Sequence, residues 1–393
     1  MLARQALAYY VVPIICLVGV GLRIAAACFV PDQSAILGDA VAYREAGHSL
    51  WTTGRLGTAY QMPLYPMLVA VWGPGWPQLL IDVGLSTLMI GLMYELTKLL
   101  FAHELTPLLA ATITAVYPHF IFFSVIGLTE TLFMTLTVAA YVFWYQKRDV
   151  LGDVCAVLGI LTRPVLDLLA PVLVVCFVLV VHRLPPRIAM AKLGLYAAIY
   201  CVLMAPWWLH NCEAYGRFVR LNLGGGLALF SGNNPMNQTG GFDINLGISA
   251  APFYRIADPF ARDQAAREAA ISYIESNPMN FIRQAFLKFL RFWRPWPYTE
   301  HYASPFYVAA SLLSFGPVLV LAVLFLPMAG PGQLRRAGPL LLFVIYLTTV
   351  YMVFPGSIRY RLPLEPFLIV LAAAGGTSLV TLWRTKQIRT FAG

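Results

Sequence analysis

The sequence predicts an all-α protein that crosses a membrane about ten times. Of its 393 residues, 59% are hydrophobic and 11% are charged, whereas soluble domains carry about 25% charged residues. Several apolar segments also approach or exceed the roughly 20 residues that a membrane-crossing helix needs. The predicted spans are 7–29, 77–100, 105–125, 127–146, 151–162, 164–182, 190–209, 304–328, 338–355 and 361–382.

Basic residues in the short loops predict the orientation of these spans, because cytoplasmic loops carry the excess of lysine and arginine. With a cytoplasmic N-terminus, the basic residues of the short loops fall on the cytoplasmic side. They are Arg4, Lys98, Lys147, Arg148, Arg183, Arg187, Lys192, Arg335, Arg336, Arg384, Lys386 and Arg389. Segment 151–162 is too short to cross alone, so it merges with its neighbour or is half-buried.

Two polar segments, 31–76 and 210–303, lie on the extracytoplasmic side in this topology. They predict three parts: an N-terminal transmembrane core (1–209), a large outer loop (210–303) and C-terminal transmembrane helices (304–393). Loops as long as 210–303 usually carry function. The two outer segments are expected to meet over the ends of the helices.

The large outer loop contains two helix-start signals. Asp258 followed by Pro259 predicts an N-cap and first helical position, opening a helix to about Ser276, and Asn277 with Pro278 repeats the signal. The second helix places one apolar stripe among basic residues: Phe281, Ala285, Phe289 and Trp293, with Arg283, Lys288, Arg291 and Arg294 around it. This pattern fits a helix on the membrane surface and fits equally a helix packed on the protein's own loop.

Several function classes find no support in the sequence. It has no phosphate-binding Walker loop and no GxGxxG, HExxH or GxSxG motif. The net charge of +9 follows from topology and the basic loop, and no basic face with interleaved aromatic residues indicates nucleic acid. His48, His119 and His301 lie on the outer side with no spacing that demands a metal.

Asp39 is the first candidate for chemistry, because carboxylates are scarce and this one follows the first span directly. A helix that starts there would place Tyr43 on the same face. Asp39 is predicted either to act as a general base toward an acceptor hydroxyl or to cap the helix, and its position fits both.

Glu130 and three arginines are the second group of candidates. Glu130 begins a span at its outer end, where an acid must be paired, hydrated or functional. Arg359 and Arg361 lie in a short outer turn and Arg163 lies between two spans, so all three need an anion. A planar guanidinium suits phosphate, and pairing with Asp39, Glu130, Asp167 or Glu365 is the structural alternative.

These motifs together resemble the polytopic GT-C glycosyltransferases, the clan of dolichyl-phosphate-mannose protein mannosyltransferases and bacterial lipid A aminoarabinose transferases. The resemblance covers nearly the whole chain. Its motifs are Gly38, Asp39 and Tyr43 with Pro63-Leu64-Tyr65-Pro66; Tyr117-Pro118 with Thr129 and Glu130; Thr162-Arg163-Pro164; Pro206-Trp207; Gly232-Asn233-Asn234-Pro235; and Arg359-Tyr360-Arg361-Leu362-Pro363 with Glu365.

The sequence departs from this pattern at three places. His210 stands where many relatives have arginine, Ala40 follows Asp39 in place of glutamate, and Met62-Pro63-Leu64 replaces a Lys-Pro-Pro motif. Protein mannosylation and lipid A modification specifically are therefore not expected. The general class, a GT-C glycosyltransferase, is still expected.

The resemblance implies a GT-C-type bundle and an inverting transferase that moves a sugar from a polyprenyl-phosphate donor to a hydroxyl of a glycan, lipid or protein acceptor. The catalytic residues would be Asp39 and Glu130. The residues that bind the lipid phosphate or the sugar would be Arg359, Arg361, Arg163, Tyr43, Tyr65, Asn233 and Asn234. No cofactor or metal is implied, although a divalent metal is compatible with the acids. The expected location is a bacterial inner membrane, with the site facing the periplasm.

Two other classes fit the composition. A transporter or flippase of a lipid-linked sugar would show paired halves and helices broken at midplane, and the sequence shows neither clearly. A non-catalytic membrane assembly subunit would tolerate loss of both Asp39 and Arg359.

Overall fold

A computed structural model of the chain describes residues 2–30, 38–57, 59–241, 249–297 and 304–391, without the side chains of residues 2–9 and 384–391. Every regular element in these ranges is helical. His301 and the side chains of Arg4, Arg384, Lys386 and Arg389, used in the sequence analysis, lie outside the described part.

The described residues of the N-terminal part form nine α-helices, and a short irregular turn lies on each side of the last one. They are α1 (Leu2–Phe29), α2 (Gly38–Thr53), α3 (Leu64–Trp72), α4 (Trp76–Leu100), α5 (Leu105–Val116), α6 (Pro118–Phe123), α7 (Glu130–Tyr145), α8 (Asp149–Thr162) and α9 (Leu169–Cys176). A 3-10 turn at Pro164–Leu166 precedes α9, and a π-helical turn at Phe177–Val181 extends it.

The rest of the chain forms one long helix, a helical outer loop and a C-terminal group. These helices are α10 (Pro186–Tyr215), α11 (Gly225–Gly232), α12 (Ala251–Tyr254), α13 (Pro259–Ser276), α14 (Pro278–Trp293), α15 (Pro305–Met328), α16 (Pro331–Val353), α17 (Ile358–Arg361) and α18 (Glu365–Phe391). Helix α10 runs six residues past the predicted boundary at residue 209, and the division into three parts stays a prediction.

Six of the described helices are long and apolar enough to cross a membrane: Tyr10–Phe29, Trp76–Leu100, Pro186–Tyr215, Pro305–Met328, Pro331–Val353 and Ile358–Trp383. Other predicted spans are shorter helices, including Leu105–Val116 and Leu169–Val181. The predicted span 105–125 breaks at Tyr117, whose backbone is extended before Pro118. A residue before proline is driven out of the α conformation by steric conflict with the ring.

The core of the bundle contains aromatic ring pairs and a close approach of two helices. The Tyr141 ring lies 4.5 Å from that of Phe367 and 5.6 Å from that of Phe177, distances typical of favourable ring pairs. Helices α15 and α18 approach so closely that a Cβ on Gly375 would lie 2.2 Å from the Leu321 carbonyl oxygen. Small residues permit such approach between membrane helices.

Both predicted helices of the outer loop are present. Helix α13 spans the predicted residues, and the Asp258 carboxylate accepts from the Phe260 N–H at 3.2 Å, as an N-cap does. Helix α14 follows from Pro278 and ends at Trp293, before Pro295. The predicted stripe Phe281, Ala285, Phe289 and Trp293 is partly buried in the structure. Lys288, predicted beside that stripe, is fully buried, because it shares the inward face of the helix with Gln284 and Phe292.

Candidate active site

Four predicted residues from distant parts of the chain meet in one continuous chain of charged contacts. Arg359 Nη1 donates to Asp39 Oδ2 at 2.6 Å, and Arg359 Nε donates to Glu130 Oε1. Arg163 Nη1 donates to the same Glu130 oxygen at 2.6 Å. The order is Asp39, Arg359, Glu130, Arg163, with two carboxylates balanced by two guanidiniums.

Asp39 forms the exposed end of this cluster. It lies in the first turn of α2, where the partial positive charge of the helix N-terminus favours a carboxylate. The side chain is 59% exposed, whereas Arg359 beside it is 19% exposed. Asp39 is therefore the member of the cluster that a substrate can reach most directly.

Glu130 forms the buried centre of the cluster. It begins α7 and is fully buried. Its Oε1 accepts from both arginines, while its Oε2 is buried without a hydrogen-bond partner among the described residues. A buried carboxylate needs opposite charge close by, and the two guanidiniums supply it.

Arg163 and Arg359 each lie where helical structure is interrupted. Arg163 ends α8 with an extended backbone because Pro164 follows it, and its Nη1 also donates to Thr129 Oγ1 at 3.2 Å. Arg359 lies in the short helix α17, where the Ser357 hydroxyl accepts from the Arg359 N–H at 3.3 Å. These breaks let arginines from separate spans converge on one glutamate.

The two predicted tyrosines lie in successive layers beside the cluster. Tyr43 is half-buried, and the charges of Asp39, Glu130, Arg163 and Arg359 all act on its phenol. Burial raises the pKa of Tyr43, so the hydroxyl remains a hydrogen-bond donor.

Tyr65 lies one layer deeper than Tyr43, and their rings meet edge to face at 5.4 Å. Tyr65 Oη donates to Asp82 at 2.7 Å and accepts from Gln78 at 2.8 Å. Tyr65 is 1% exposed, so the structure gives it a supporting position behind Tyr43.

Arg361 is not part of the cluster, although only two residues separate it from Arg359. It is fully buried, its Nε donates to Glu365 at 2.7 Å, and its Nη1 donates to the Arg294 carbonyl at 2.6 Å. Glu365 in turn bonds His119 Nδ1 at 3.0 Å. Arg361 therefore forms the structural pair with Glu365 that the sequence left open as the alternative. Its side chain points into the core beneath the outer loop.

Asn233 and Asn234 are also buried away from the cluster. Asn233 Nδ2 donates to the Val353 carbonyl at 3.0 Å and its Oδ1 accepts from Lys288 at 2.9 Å. Asn234 Oδ1 accepts from the Met236 N–H at 2.8 Å. Both amides hold the outer loop together in this structure.

Two buried polar residues, Asp82 and Lys288, were not among the site candidates predicted from sequence. Asp82 is 1% exposed within an apolar span, and an acid inside such a span is itself a signal. Lys288 was predicted beside the apolar stripe of its helix, and helical spacing alone does not say which face is covered.

A divalent cation in a protein is held by several oxygen, nitrogen or sulfur ligands. Within the described residues, no group of three or more His, Cys, Asp and Glu side chains could hold a metal ion. Asp39 and Glu130 share Arg359 between them, so the arginine neutralises the carboxylates that a cation would use.

The fold is similar to solved membrane glycosyltransferases. The archaeal oligosaccharyltransferase AglB from Archaeoglobus fulgidus, solved with an inhibitory peptide and a dolichol-phosphate, matches with a TM-score of 0.58 at 16% identity. The apo form of the Archaeoglobus fulgidus oligosaccharyltransferase matches with a TM-score of 0.53 at 13% identity. The chain has the GT-C fold.

The first match covers 99% of this chain and 52% of the AglB chain. The second covers 96% of this chain and 51% of the apo oligosaccharyltransferase chain. The chain therefore spans about half the length of the structures it matches. No protein-family model matches the chain, and no curated protein sequence matches it. The GT-C fold and the six apolar helices together make this chain a multi-pass membrane protein.

Proposed function

We propose that this GT-C protein is an inverting glycosyltransferase that uses a polyprenyl-phosphate sugar and an acceptor hydroxyl. The observation that carries the proposal is the Asp39–Arg359–Glu130 contact chain. In it, the Arg359 guanidinium contacts the exposed carboxylate of Asp39 and the buried carboxylate of Glu130. Such a pair supplies a base and a phosphate-binding group within one site.

Glu130 orients the two arginines. It accepts from Arg359 Nε, which leaves the Nη side of that guanidinium directed at Asp39. A planar guanidinium can bind a carboxylate through one edge and a phosphate through another. A lipid phosphate would therefore replace Asp39 on Arg359 while Glu130 keeps its contact.

Arrival of the phosphate frees Asp39 for chemistry. In the proposed step, Asp39 takes the proton of the acceptor hydroxyl as the acceptor oxygen bonds to the anomeric carbon. The bond from that carbon to the phosphate oxygen breaks on the opposite face, and polyprenyl phosphate leaves with the electron pair. The leaving group is an anion, so charge stabilisation by Arg359 and Arg163 contributes more than an acid would.

The similar solved structures support the chemical class of the sugar donor. One was solved with a dolichol-phosphate and an inhibitory peptide, and a dolichol-phosphate is the kind of lipid phosphate that this step would release. A peptide is accordingly one acceptor to assay, beside glycans and lipids. The lipid tail would enter between helices, and the acceptor would bind beneath the outer loop on the extracytoplasmic side.

The test is glycosyl release by the purified protein in detergent. With a polyprenyl-phosphate hexose or pentose and a set of acceptors, the protein should produce free polyprenyl phosphate and a glycosylated acceptor. In sealed proteoliposomes, movement of the intact lipid-linked sugar across the bilayer without any release would contradict the proposal and favour a flippase.

A further inference from the structure

Helix α14 (Pro278–Trp293) has two sides in opposite environments. Gln284, Lys288 and Phe292 are buried on one side. The large apolar side chains on the other side are between 47% and 76% exposed, and they are Met279, Ile282, Phe286 and Leu290. Their spacing of three or four residues places them in one stripe along the helix.

The buried side of α14 is bonded to the ends of two membrane spans. Lys288 Nζ donates to the carbonyl of Val353 at 2.8 Å, and Val353 is the last residue of the span Pro331–Val353. The Arg294 carbonyl, directly after α14, accepts from Arg361 Nη1 at 2.6 Å, and Arg361 lies in the first turn of the span Ile358–Trp383. Helix α14 is therefore held beside the ends of two candidate membrane spans.

The charges of α14 favour an anionic neighbour. Its sequence contains Arg283, Lys288 and Arg291 and no aspartate or glutamate. Lys288 is buried, whereas Arg283 is exposed and adjacent in sequence to Ile282 of the stripe. A helix with an apolar stripe and arginines beside it is suited to a membrane surface with anionic headgroups.

We propose that α14 is a membrane-docking helix, with the stripe Met279, Ile282, Phe286 and Leu290 inserted among acyl chains at the leaflet border and Arg283 directed at anionic headgroups. The sequence left open whether this helix covers the membrane or the protein's own loop. The structure assigns one side to the loop and leaves the other for the lipid. This inference does not depend on the proposed transferase activity.

The experiment measures the environment of one position on the stripe. The six native cysteines are replaced, Phe286→Cys carries an environment-sensitive NBD label, and the protein is reconstituted in phosphatidylcholine vesicles with and without phosphatidylglycerol. Ser272→Cys, an exposed position on α13, is the matched control. Both sites are exposed, so labelling does not disturb packing, and Ile282→Cys provides a second stripe position.

We expect the label at positions 286 and 282 to emit further to the blue than at 272, and to be quenched by nitroxides on acyl chains but not by iodide. Phosphatidylglycerol should strengthen that blue shift, and Arg283→Gln should remove the gain. Iodide quenching equal to that at position 272 would place the stripe in water and overturn the proposal. Quenching by neither reagent would place it against protein, such as a second copy, and overturn it equally.

Discussion

Asp39 and Glu130 bind the same arginine from opposite environments, and this decides what each substitution should do. The Asp39 side chain is 59% exposed and that of Glu130 is fully buried. Exposed ion pairs contribute about 0–1 kcal/mol to stability. Removing one partner of a buried pair costs about 3–5 kcal/mol, because the remaining charge is left uncompensated.

Asp39→Asn should therefore leave the free energy of unfolding within about 1 kcal/mol of wild type, while Glu130→Gln should lower it by roughly 3 kcal/mol or more. Thermal melting of the three purified proteins in one detergent checks this contrast. Equal melting temperatures for the two variants would show that Glu130 is not the buried centre of the cluster.

Local sequence does not distinguish Arg359, which lies in the cluster, from Arg361, which is buried away from it. Both were predicted as phosphate ligands because both lie in a turn where the topology disfavours cations. On a helix, positions two apart point in nearly opposite directions, and local sequence does not say which one faces the site. That choice is made by packing against α14 and α18, which no local pattern encodes.

Among the elements, the close crossing of α11 and α13 depends on Gly226, the last of three successive glycines. A Cβ on Gly226 would lie 1.9 Å from the Asp263 carbonyl oxygen, whereas a Cβ on Gly225 would meet nothing within 4 Å. The Asp263 carboxylate also accepts from the N–H groups of Gly224 and Gly226, at 2.9 and 2.8 Å. It satisfies backbone donors at the start of α11.

Gly226→Ala should consequently destabilise the outer loop by about 1–3 kcal/mol, the usual cost of overpacking, and Gly225→Ala should have little effect. Melting temperature and protease resistance of the loop are the measurements. If the two alanine variants behaved alike, the close crossing of α11 and α13 at Gly226 would be wrong.

Lys288 of α14 is buried against two neutral acceptors, Asn233 Oδ1 and the Val353 carbonyl. Burial lowers the pKa of Lys288 from 10.5 to about 8. Between these values the unfolded chain binds more protons than the folded one, so stability rises with pH. A neutral amine still donates the two hydrogen bonds that the acceptors need.

Wild type should gain on the order of 3 kcal/mol relative to Lys288→Met as the pH rises from about 7 to about 10.5. Melting curves of both proteins across that range provide the test. Parallel pH profiles would mean that Lys288 is not desolvated in the folded state.

At the scale of the whole molecule, the predicted topology places the cluster and the outer loop on the extracytoplasmic side. In a cysteine-free background, Ser272→Cys on α13 should react with a membrane-impermeant maleimide in intact cells. Arg187→Cys, at the start of α10, should react only after the membrane is permeabilised. The reverse pattern would invert the topology and put the cluster in the cytoplasm.

The overall architecture follows from sequence where the signals are local and additive. Apolar length predicts the long spans, and Asp258 with Pro259 predicts the start of α13. Basic loop residues also predict that Asp39, Glu130, Arg163 and Arg359 share one side, and the structure brings these four into contact. Which carboxylate is buried, and which face of α14 is covered, depends on long-range packing and could not be predicted.

The central claim is that Asp39 serves glycosyl transfer and not folding. The most direct measurement compares wild type and Asp39→Asn, purified with equal melting temperatures, for release of polyprenyl phosphate from a polyprenyl-phosphate sugar in the presence of acceptor. Loss of a general base typically costs about 10²–10⁴-fold in rate, and a loss of that size is predicted. Release by Asp39→Asn at the wild-type rate would contradict the account.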